Sequence, residues 1–391
     1  MLPLEGITVV SLEHAIAAPF ATRQLADLGA RVIKVERPLV GDFARSYDQR
    51  VNGLASHFVW ANRSKESLTL DLKQSGAANI LHQLLTEADV LVQNLAPGAA
   101  ARMGLSYTDL HSINPRLIVC NISGYGEGGP YQDRKAYDLL IQAEAGFIST
   151  TGTTDNPSKA GISIADIAAG MYAYSNILAA LIQRGINGQG CNIDVSMLEA
   201  MTEWMGFPLY YAYGGAAPPD RAGASHATIF PYGPFVAGDG NTVLFGLQNE
   251  REWQSFCTSV LQDPSLEIDP RFTTNSLRVK NKKALTASIV AGFSVLTAIQ
   301  VIERLESAGI ANSQMRDMTD VWAHPQLKAR ERWRKVNTSA GFIPTLIPPG
   351  GVGSEPRMDP VPSLGEHTSC ILTELNYSPE QIYELQQKQA I

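Results

Sequence analysis

Ile7-Thr-Val-Val-Ser-Leu12, then residues 13–30, then Arg31-Val-Ile-Lys-Val-Glu36 form the stretch from which the architecture follows. Its two ends are short β-rich runs that read as buried strands. Between them, residues 19–28 read as a helix, with Pro19 at its start and Gly29 just past its end, the usual asymmetry of helix termini. Parallel strands need a crossover between them, and strand–helix–strand within residues 7–36 supplies one. The pattern continues in Ser67-Leu-Thr-Leu-Asp-Leu72, a helix over 76–87, Asp89-Val-Leu-Val-Gln93 and Arg116-Leu-Ile-Val-Cys-Asn-Ile122. The expectation is an α/β domain with a parallel sheet covered by helices on both faces.

Farther along, the glycine- and threonine-rich Ser149-Thr-Thr-Gly-Thr-Thr154 leads to a long apolar helix expected from Asp166 to about Arg184. Asn187-Gly-Gln-Gly190 turns into Cys191-Asn-Ile-Asp-Val195. One helix is expected over 197–213, ending at Gly214 and Gly215, with a polar linker over 216–224. Tyr232-Gly-Pro-Phe-Val-Ala-Gly-Asp-Gly240 reads as a hairpin with Asp239-Gly240 as its tight turn. Helical patterns follow to about residue 305, and from about 325 the chain is rich in loops until a short helix over 378–389.

Composition narrows the function. A chain of 391 residues with 45% apolar and 18% charged residues reads as a two-domain globular enzyme. A net charge of −7 disfavours a nucleic-acid partner, because no basic excess is available to neutralise a phosphate backbone. Cys120, Cys191, Cys257 and Cys370 lie far apart with no CxxC pair, which reads as four reduced thiols in a cytoplasmic protein. The N-terminus has no basic segment ahead of its apolar run. The apolar run of the 166–183 helix is interrupted by Ser175 and Asn176, so no membrane span is expected. The first strand is followed by Glu13-His-Ala-Ile-Ala-Ala-Pro19, which lacks the glycines of a dinucleotide fingerprint, so NAD is not expected. The seven histidines show no metal-ligand spacing, so no metal is expected, and no GxSxG elbow is present.

Two features carry chemistry. Asp166 stands where a loop gives way to the long apolar helix, and a helix N-terminus favours the ionised carboxylate. An ionised carboxylate acts as a nucleophile without a partner base; the alternative is a simple N-cap. Arg37, Lys73, Arg102 and Lys135 follow successive strands, and the carboxyl ends of parallel strands share one edge, where ligands bind. Four cations there would suit a polyphosphate; the alternative is four solvated surface charges.

These segments resemble a known family. LEGITVVSLE (4–13), GARVIKVERPLVGDFAR (29–45), NRSKESLTLDLK (62–73), LVQNLAPGAAARMGL (91–105) and INPRLIVCNISGYGEGGPY (113–131) resemble the class III CoA-transferases. So do KAYDLLIQAEAGF (135–147), GISIADIAAGMYA (161–173), GQGCNIDVSMLEA (188–200), HATIFPYGPFVAGDG (226–240), HPQLKAR (324–330) and PSLGEHT (362–368). The resemblance implies a large Rossmann-like domain formed by both chain ends, a smaller α+β middle domain, and an interlocked homodimer. On this chain the division falls at 1–196 for the first part of the large domain, 197–224 for a linker helix, 225–325 for the small domain and 326–391 for the return.

It further implies transfer of coenzyme A from an acyl-CoA donor, possibly succinyl-CoA, to a carboxylic acid, with Asp166 as the catalytic nucleophile. The steps would run through an aspartyl mixed anhydride and an enzyme-bound thioester. Family CoA contacts fall on Ile16, Ala17, Arg37, Leu70, Asp71, Leu72, Lys73, Asn94, Leu95, Ala96, Arg102, Arg134, Lys135, Ala136 and Tyr137. The formyl-CoA members carry Gln where this chain has Ile16, and a glycine run where it has Phe245-Gly-Leu-Gln-Asn-Glu250, so formyl or oxalate specificity does not carry over. A racemase of the same fold uses a His where this chain has Tyr137, and tyrosine is a poor base near neutral pH.

Arg45, Tyr47 and His57 are the candidates for binding the acid. Arg45 could clamp a second carboxylate, which favours a small dicarboxylate such as succinate, mesaconate, itaconate, citramalate or malate; the alternative is a surface pair with Asp42 or Asp48. Asp138 and Glu144 either orient the Asp166 region or face solvent. An acyl-CoA racemase or isomerase, or a catalytically silent CoA-binding protein, are the other readings.

Overall fold

The computed structural model describes residues 1–351 and 353–391. The chain forms two compact units. The larger comprises Met1–Phe147, Ala160–Gly206 and Leu327–Ile391; the smaller comprises Ile148–Lys159 and Phe207–Gln326.

The larger unit is built on six parallel strands: β1 (Thr8–Leu12), β2 (Arg31–Glu36), β3 (Lys65–Thr69), β4 (Val90–Gln93), β5 (Ile118–Ser123) and β6 (Asn192–Ser196). Their order is β3-β2-β1-β4-β5-β6. Alternate side chains of each strand feed opposite cores, as the two-residue period requires. Val9, Val32, Val90, Cys120 and Ile122 face one layer, and Val10, Ile33, Leu68, Leu91 and Val119 face the other. On the first face lie α1 (Ala17–Asp27) and, later in the chain, the long helix at Ile164–Asn187. On the second lie α2 (Ser75–Glu87) and the C-terminal helices Thr368–Glu374 and Pro379–Gln387, whose Ile371, Leu372 and Ile382 are buried in that core. A backbone bond from Asp71 N–H to the Ala390 carbonyl joins the chain end to β3.

Three local expectations change. Strand β3 lies two to three residues earlier than 67–72, because the polar Lys65 is fully buried and ion-paired there. The single helix expected over 197–213 is two helices, Met197–Trp204 and Gly206–Tyr211, and the first is part of the larger unit's core through Met197, Ala200 and Met201. The long helix runs 24 residues, Ile164–Asn187, and is long and apolar enough to cross a membrane by length and composition, contrary to the expectation from Ser175 and Asn176. Its stripe Ala165, Ala168, Ala169, Ala173 and Ile177 is wholly buried against the sheet side, the pattern of a core helix.

The smaller unit carries an antiparallel sheet of Tyr232–Val236, Thr242–Gly246 and Asn312–Gln314. Its core is aromatic: Phe235, Phe245, Phe256 and Phe293 pack with ring centroids 4.9–6.4 Å apart, and Trp253 and Phe272 complete it. Residues 148–159, expected in the large domain, belong to this unit.

Candidate active site

All six strands of the larger unit end on one edge, and the loops that leave those ends build a cavity of about 640 Å³. Its walls include His14–Ala17 after β1, Phe43 and Tyr47 after β2, Asn94–Pro97 after β4, and Arg134–Leu139 after β5. Asp166 and Ser163 enter from the start of the long helix, and His57 completes the rim.

Asp166 is brought there by a helix crossing. The long helix, α4 here, follows α3 (Asp138–Glu144) and crosses α1 where Gly170 meets Ala17. A Cβ on Gly170 would lie 2.7 Å from the Ala17 carbonyl oxygen, so only glycine permits this approach. One turn earlier on the same helix, Asp166 shares the cavity with Ile16 and Ala17.

Asp166 is in the third position of α4, not its N-cap. Ser163 occupies the cap and makes no side-chain cap bond. The cap comes from Asp138, whose Oδ1 accepts from the N–H groups of Ala165 (2.8 Å) and Asp166 (3.3 Å), while its Oδ2 accepts from Gln142 Nε2 at 2.6 Å. Asp138 therefore orients the Asp166 turn rather than facing solvent. Burial first, and then the Asp138 charge, push the Asp166 carboxyl up to about 7. The expectation that the helix terminus dominates and favours ionisation is corrected: desolvation and a like charge outweigh the dipole, because Asp138 already takes the terminal N–H groups.

The acid-binding candidates separate. Tyr47 and His57 line the cavity and pack edge to face with centroids 5.3 Å apart. Burial, with Asp42 and Asp166 nearby, pushes the Tyr47 phenol up to about 12, so it stays a hydrogen-bond donor. His57 Nδ1 lies 3.5 Å from Asp48 Oδ2. Arg45 does not line the cavity. Its Nε and Nη2 each donate to the buried Glu36 carboxylate at 2.8 Å, and its guanidinium lies 3.7 Å from the Phe58 ring centroid. The reading of Arg45 as a carboxylate clamp is therefore corrected, and its partner is neither Asp42 nor Asp48.

Of the expected CoA contacts, Ile16, Ala17, Asn94, Leu95, Ala96, Arg134, Lys135, Ala136 and Tyr137 line the cavity. Arg37, Lys73 and Arg102 are exposed residues beyond the ends of β2, β3 and β4, outside its lining. Asp71 and Leu72 are half-buried beside them, and the Leu70 side chain is in the core, so Leu70 can offer only its backbone.

His14 was not singled out from the sequence. Its ring stacks on Phe43 (centroids 5.2 Å apart) and its buried Nδ1 has no partner among the described residues. Burial lowers its pKa, which favours the neutral ring. The available signal was its place just beyond β1, on the ligand-binding edge.

A parallel-sheet enzyme that sets one uncompensated, half-buried carboxyl among loops of the ligand edge defines the class. The comparisons define the family: the chain belongs to CoA-transferase family III, whose model matches residues 4–368. It is 34% identical over 380 residues to a succinyl-CoA:glutarate CoA-transferase of Mus musculus, covering 96% of this chain and 87% of that protein. It is 30% identical to a succinyl-CoA–D-citramalate CoA-transferase of Chloroflexus aurantiacus, covering 100% and 98%. A crystal structure of a CAIB/BAIF family protein from Brucella suis matches with a TM-score of 0.84 at 34% identity, covering 96% and 99%.

Proposed function

We propose that this chain moves coenzyme A from a succinyl-CoA-like donor to a small dicarboxylic acid through covalent catalysis by Asp166. The observation that carries this reading is the Asp166 carboxyl itself, in the cavity wall beside Ile16, Ala17 and Tyr137, with no side-chain donor on its oxygens among the described residues. The ionised carboxylate attacks the thioester carbonyl carbon, the C–S bond breaks, and CoA leaves as thiolate from a mixed anhydride. The thiolate then attacks the aspartyl carbonyl, releasing the donor acid and leaving an aspartyl thioester. The acceptor carboxylate displaces the thiolate to form a second anhydride, and the thiolate takes the acceptor acyl group and frees Asp166. The scheme requires that water, which would hydrolyse the anhydride, be kept from it.

The CoA contacts fall on the cavity-lining residues named above, with Arg37, Lys73 and Arg102 reaching the phosphates and Asp71 and Leu72 contributing beside them. The dicarboxylate preference rests on the relatives that act on glutarate and D-citramalate, with Tyr47 and His57 in place of Arg45 as its ligands. A homodimer fits the strongly exposed apolar side chains of each unit, Ile182 and Ile186 in the larger, Phe207, Tyr210 and Tyr213 in the smaller; the proposed cytoplasmic location rests on the four widely spaced cysteines alone.

Incubation with succinyl-CoA and a panel of acids, read by mass spectrometry, tests the reaction. New CoA esters support it, and hydroxylamine trapping of an acyl group at any residue other than Asp166 sinks the mechanism. An acyl-CoA racemase is the second reading, favoured by one observation: a carboxyl near pH 7 suits proton transfer. Deuterium entering the α-carbon without a new ester would select it.

A further inference from the structure

The loop between β1 and α1 carries a non-glycine residue in the left-handed region. Ala15 has φ +59°, and it stands between His14 and Ile16 in the cavity wall. A left-handed conformation is unfavourable for alanine and persists only where the surroundings impose it. Three hydrogen bonds do so. Asn94 Oδ1 accepts from the His14 N–H at 2.9 Å, and Asn94 Nδ2 donates to the His14 carbonyl at 2.9 Å. The third is the only one to reach residue 15 itself: its N–H donates to Asp42 Oδ1 at 3.1 Å.

Asp42 is completely buried and rigidly held. Its Oδ1 also accepts from the Ala44 N–H at 2.9 Å, and its Oδ2 accepts from Lys34 Nζ at 2.8 Å. Lys34 lies 3.3 Å from Glu13 Oε1, and Glu13 takes a second ammonium, Lys65, at 2.7 Å and the Thr22 hydroxyl at 2.6 Å. Lys65 in turn donates to the Pro19 carbonyl and to Asn62 Oδ1, each at 3.0 Å. The chain of charges therefore alternates, Lys65–Glu13–Lys34–Asp42, and every member is buried. A buried network this fully satisfied holds its members in one arrangement. It starts under α1 and ends on the backbone of Ala15.

The next two residues, Ile16 and Ala17, line the cavity opposite no protein acceptor for their N–H groups among the described residues, and α1 begins with them. Where residue 15 turns therefore decides where those N–H groups sit relative to Asp166. We propose that Asp42 is a positioning residue for the transfer reaction: anchored by Lys34, it holds Ala15 left-handed and so sets the Ile16–Ala17 wall against which the Asp166 carboxyl reacts. The inference rests on the transferase reading for its kinetic consequence, and on geometry alone for its structural one.

The test is a double-mutant cycle of Asp42→Ala and Ala15→Gly. Glycine adopts the left-handed region at no steric cost, so it replaces what Asp42 imposes. Asp42→Ala is expected to lower kcat at least tenfold, with a smaller change in the KM for acyl-CoA. Ala15→Gly in that background is expected to restore about tenfold, far more than it changes the enzyme that retains Asp42. Asp42→Asn covers the case in which Asp42→Ala does not fold: its one amide oxygen is drawn to the Lys34 ammonium, which leaves an NH2 against the Ala15 N–H, so it is expected to lower kcat in the same direction and to be rescued by Ala15→Gly in the same way. A crystal structure of a folded Asp42 variant should show residue 15 at negative φ with alanine and positive φ with glycine, whether or not the wild type transfers CoA. Equal effects of Ala15→Gly in both backgrounds, or a left-handed Ala15 without its Asp42 acceptor, would overturn the proposal. Absence of any exchange by wild type, with the backbone change present, would instead reject the transferase reading alone.

Discussion

Asp138 caps the helix that carries Asp166, and its Oδ1 accepts from the Asp166 N–H at 3.3 Å. The same carboxylate fixes the backbone of the reactive residue and raises its pKa. One side chain, 28 residues earlier in the chain, thus fixes the Asp166 backbone and adds its charge to the burial that raises the Asp166 pKa.

The first prediction follows from that double role. Asp138→Asn keeps an oxygen for the Ala165 and Asp166 N–H groups and removes the charge, so the acidic limb of the kcat/KM profile should move to lower pH. Asp138→Ala also removes the cap and should cost about 1–2 kcal/mol of stability. A profile that does not move in Asp138→Asn would show that burial alone sets the Asp166 pKa.

Asp166 must be ionised to attack, so wild-type kcat/KM should fall as pH drops through about 7. Stability runs the other way. The folded pKa lies above the unfolded one, so the folded state holds the proton more tightly, and that contribution is fully present below about pH 4 and lost as pH rises through about 7. Asp166→Asn should therefore be inactive, keep its CoA affinity within about threefold, and be more stable than wild type at pH 8 by about 1–3 kcal/mol after allowance for partial exposure. Thermal melts at pH 5 and pH 8 check the sign.

Arg45→Met should act on stability and not on acid specificity. Removing the guanidinium leaves the buried Glu36 carboxylate with Lys34 as its nearby cation, the Ser67 hydroxyl donating at 2.6 Å and the Asp42 N–H donating at 3.0 Å. Loss of a buried pair's partner costs about 3–5 kcal/mol. The thermal midpoint should fall while the ratio of kcat/KM values across a panel of acids stays the same; a changed ratio would return Arg45 to the substrate.

Gly170→Ala tests the helix crossing. The added methyl would lie 2.7 Å from the Ala17 carbonyl, which is backbone and cannot swing away. Overpacking of this kind costs about 1–3 kcal/mol, and here it also separates α1 from the turn that bears Asp166. The expected result is a loss of kcat larger than that of Gly185→Ala, on the same helix, where nothing lies within 4 Å of the added Cβ.

Arg37→Gln and Lys73→Gln should each weaken CoA binding about tenfold, with a shallower dependence on salt, and leave kcat nearly unchanged, because exposed charges at the strand ends meet phosphate and not the reacting atoms. Calorimetry at two ionic strengths measures both quantities.

The local periodicities in the sequence were enough to place most of the sheet. Runs such as Val9–Val10 and Val32–Ile33 are apolar on both faces, and only a doubly covered parallel strand buries both. The cations beyond the strand ends and a helix start within two residues of Asp166 were legible for the same reason, since each depends on neighbours within a few residues. Tertiary structure decided everything that depends on which distant segment arrives. Lys65 reads as a charge outside a strand until Glu13, Pro19 and Asn62 surround it. Arg45 reads as a free clamp until Glu36 takes its Nε and Nη2 donors and the Pro362 carbonyl takes Nη1. Asp166 reads as an ionised helix-start residue until Asp138 claims the N–H groups and adds its own charge. Periodicity records how much of a side chain is buried; the partner it meets, and hence its charge state and its task, is settled only by the long-range fold.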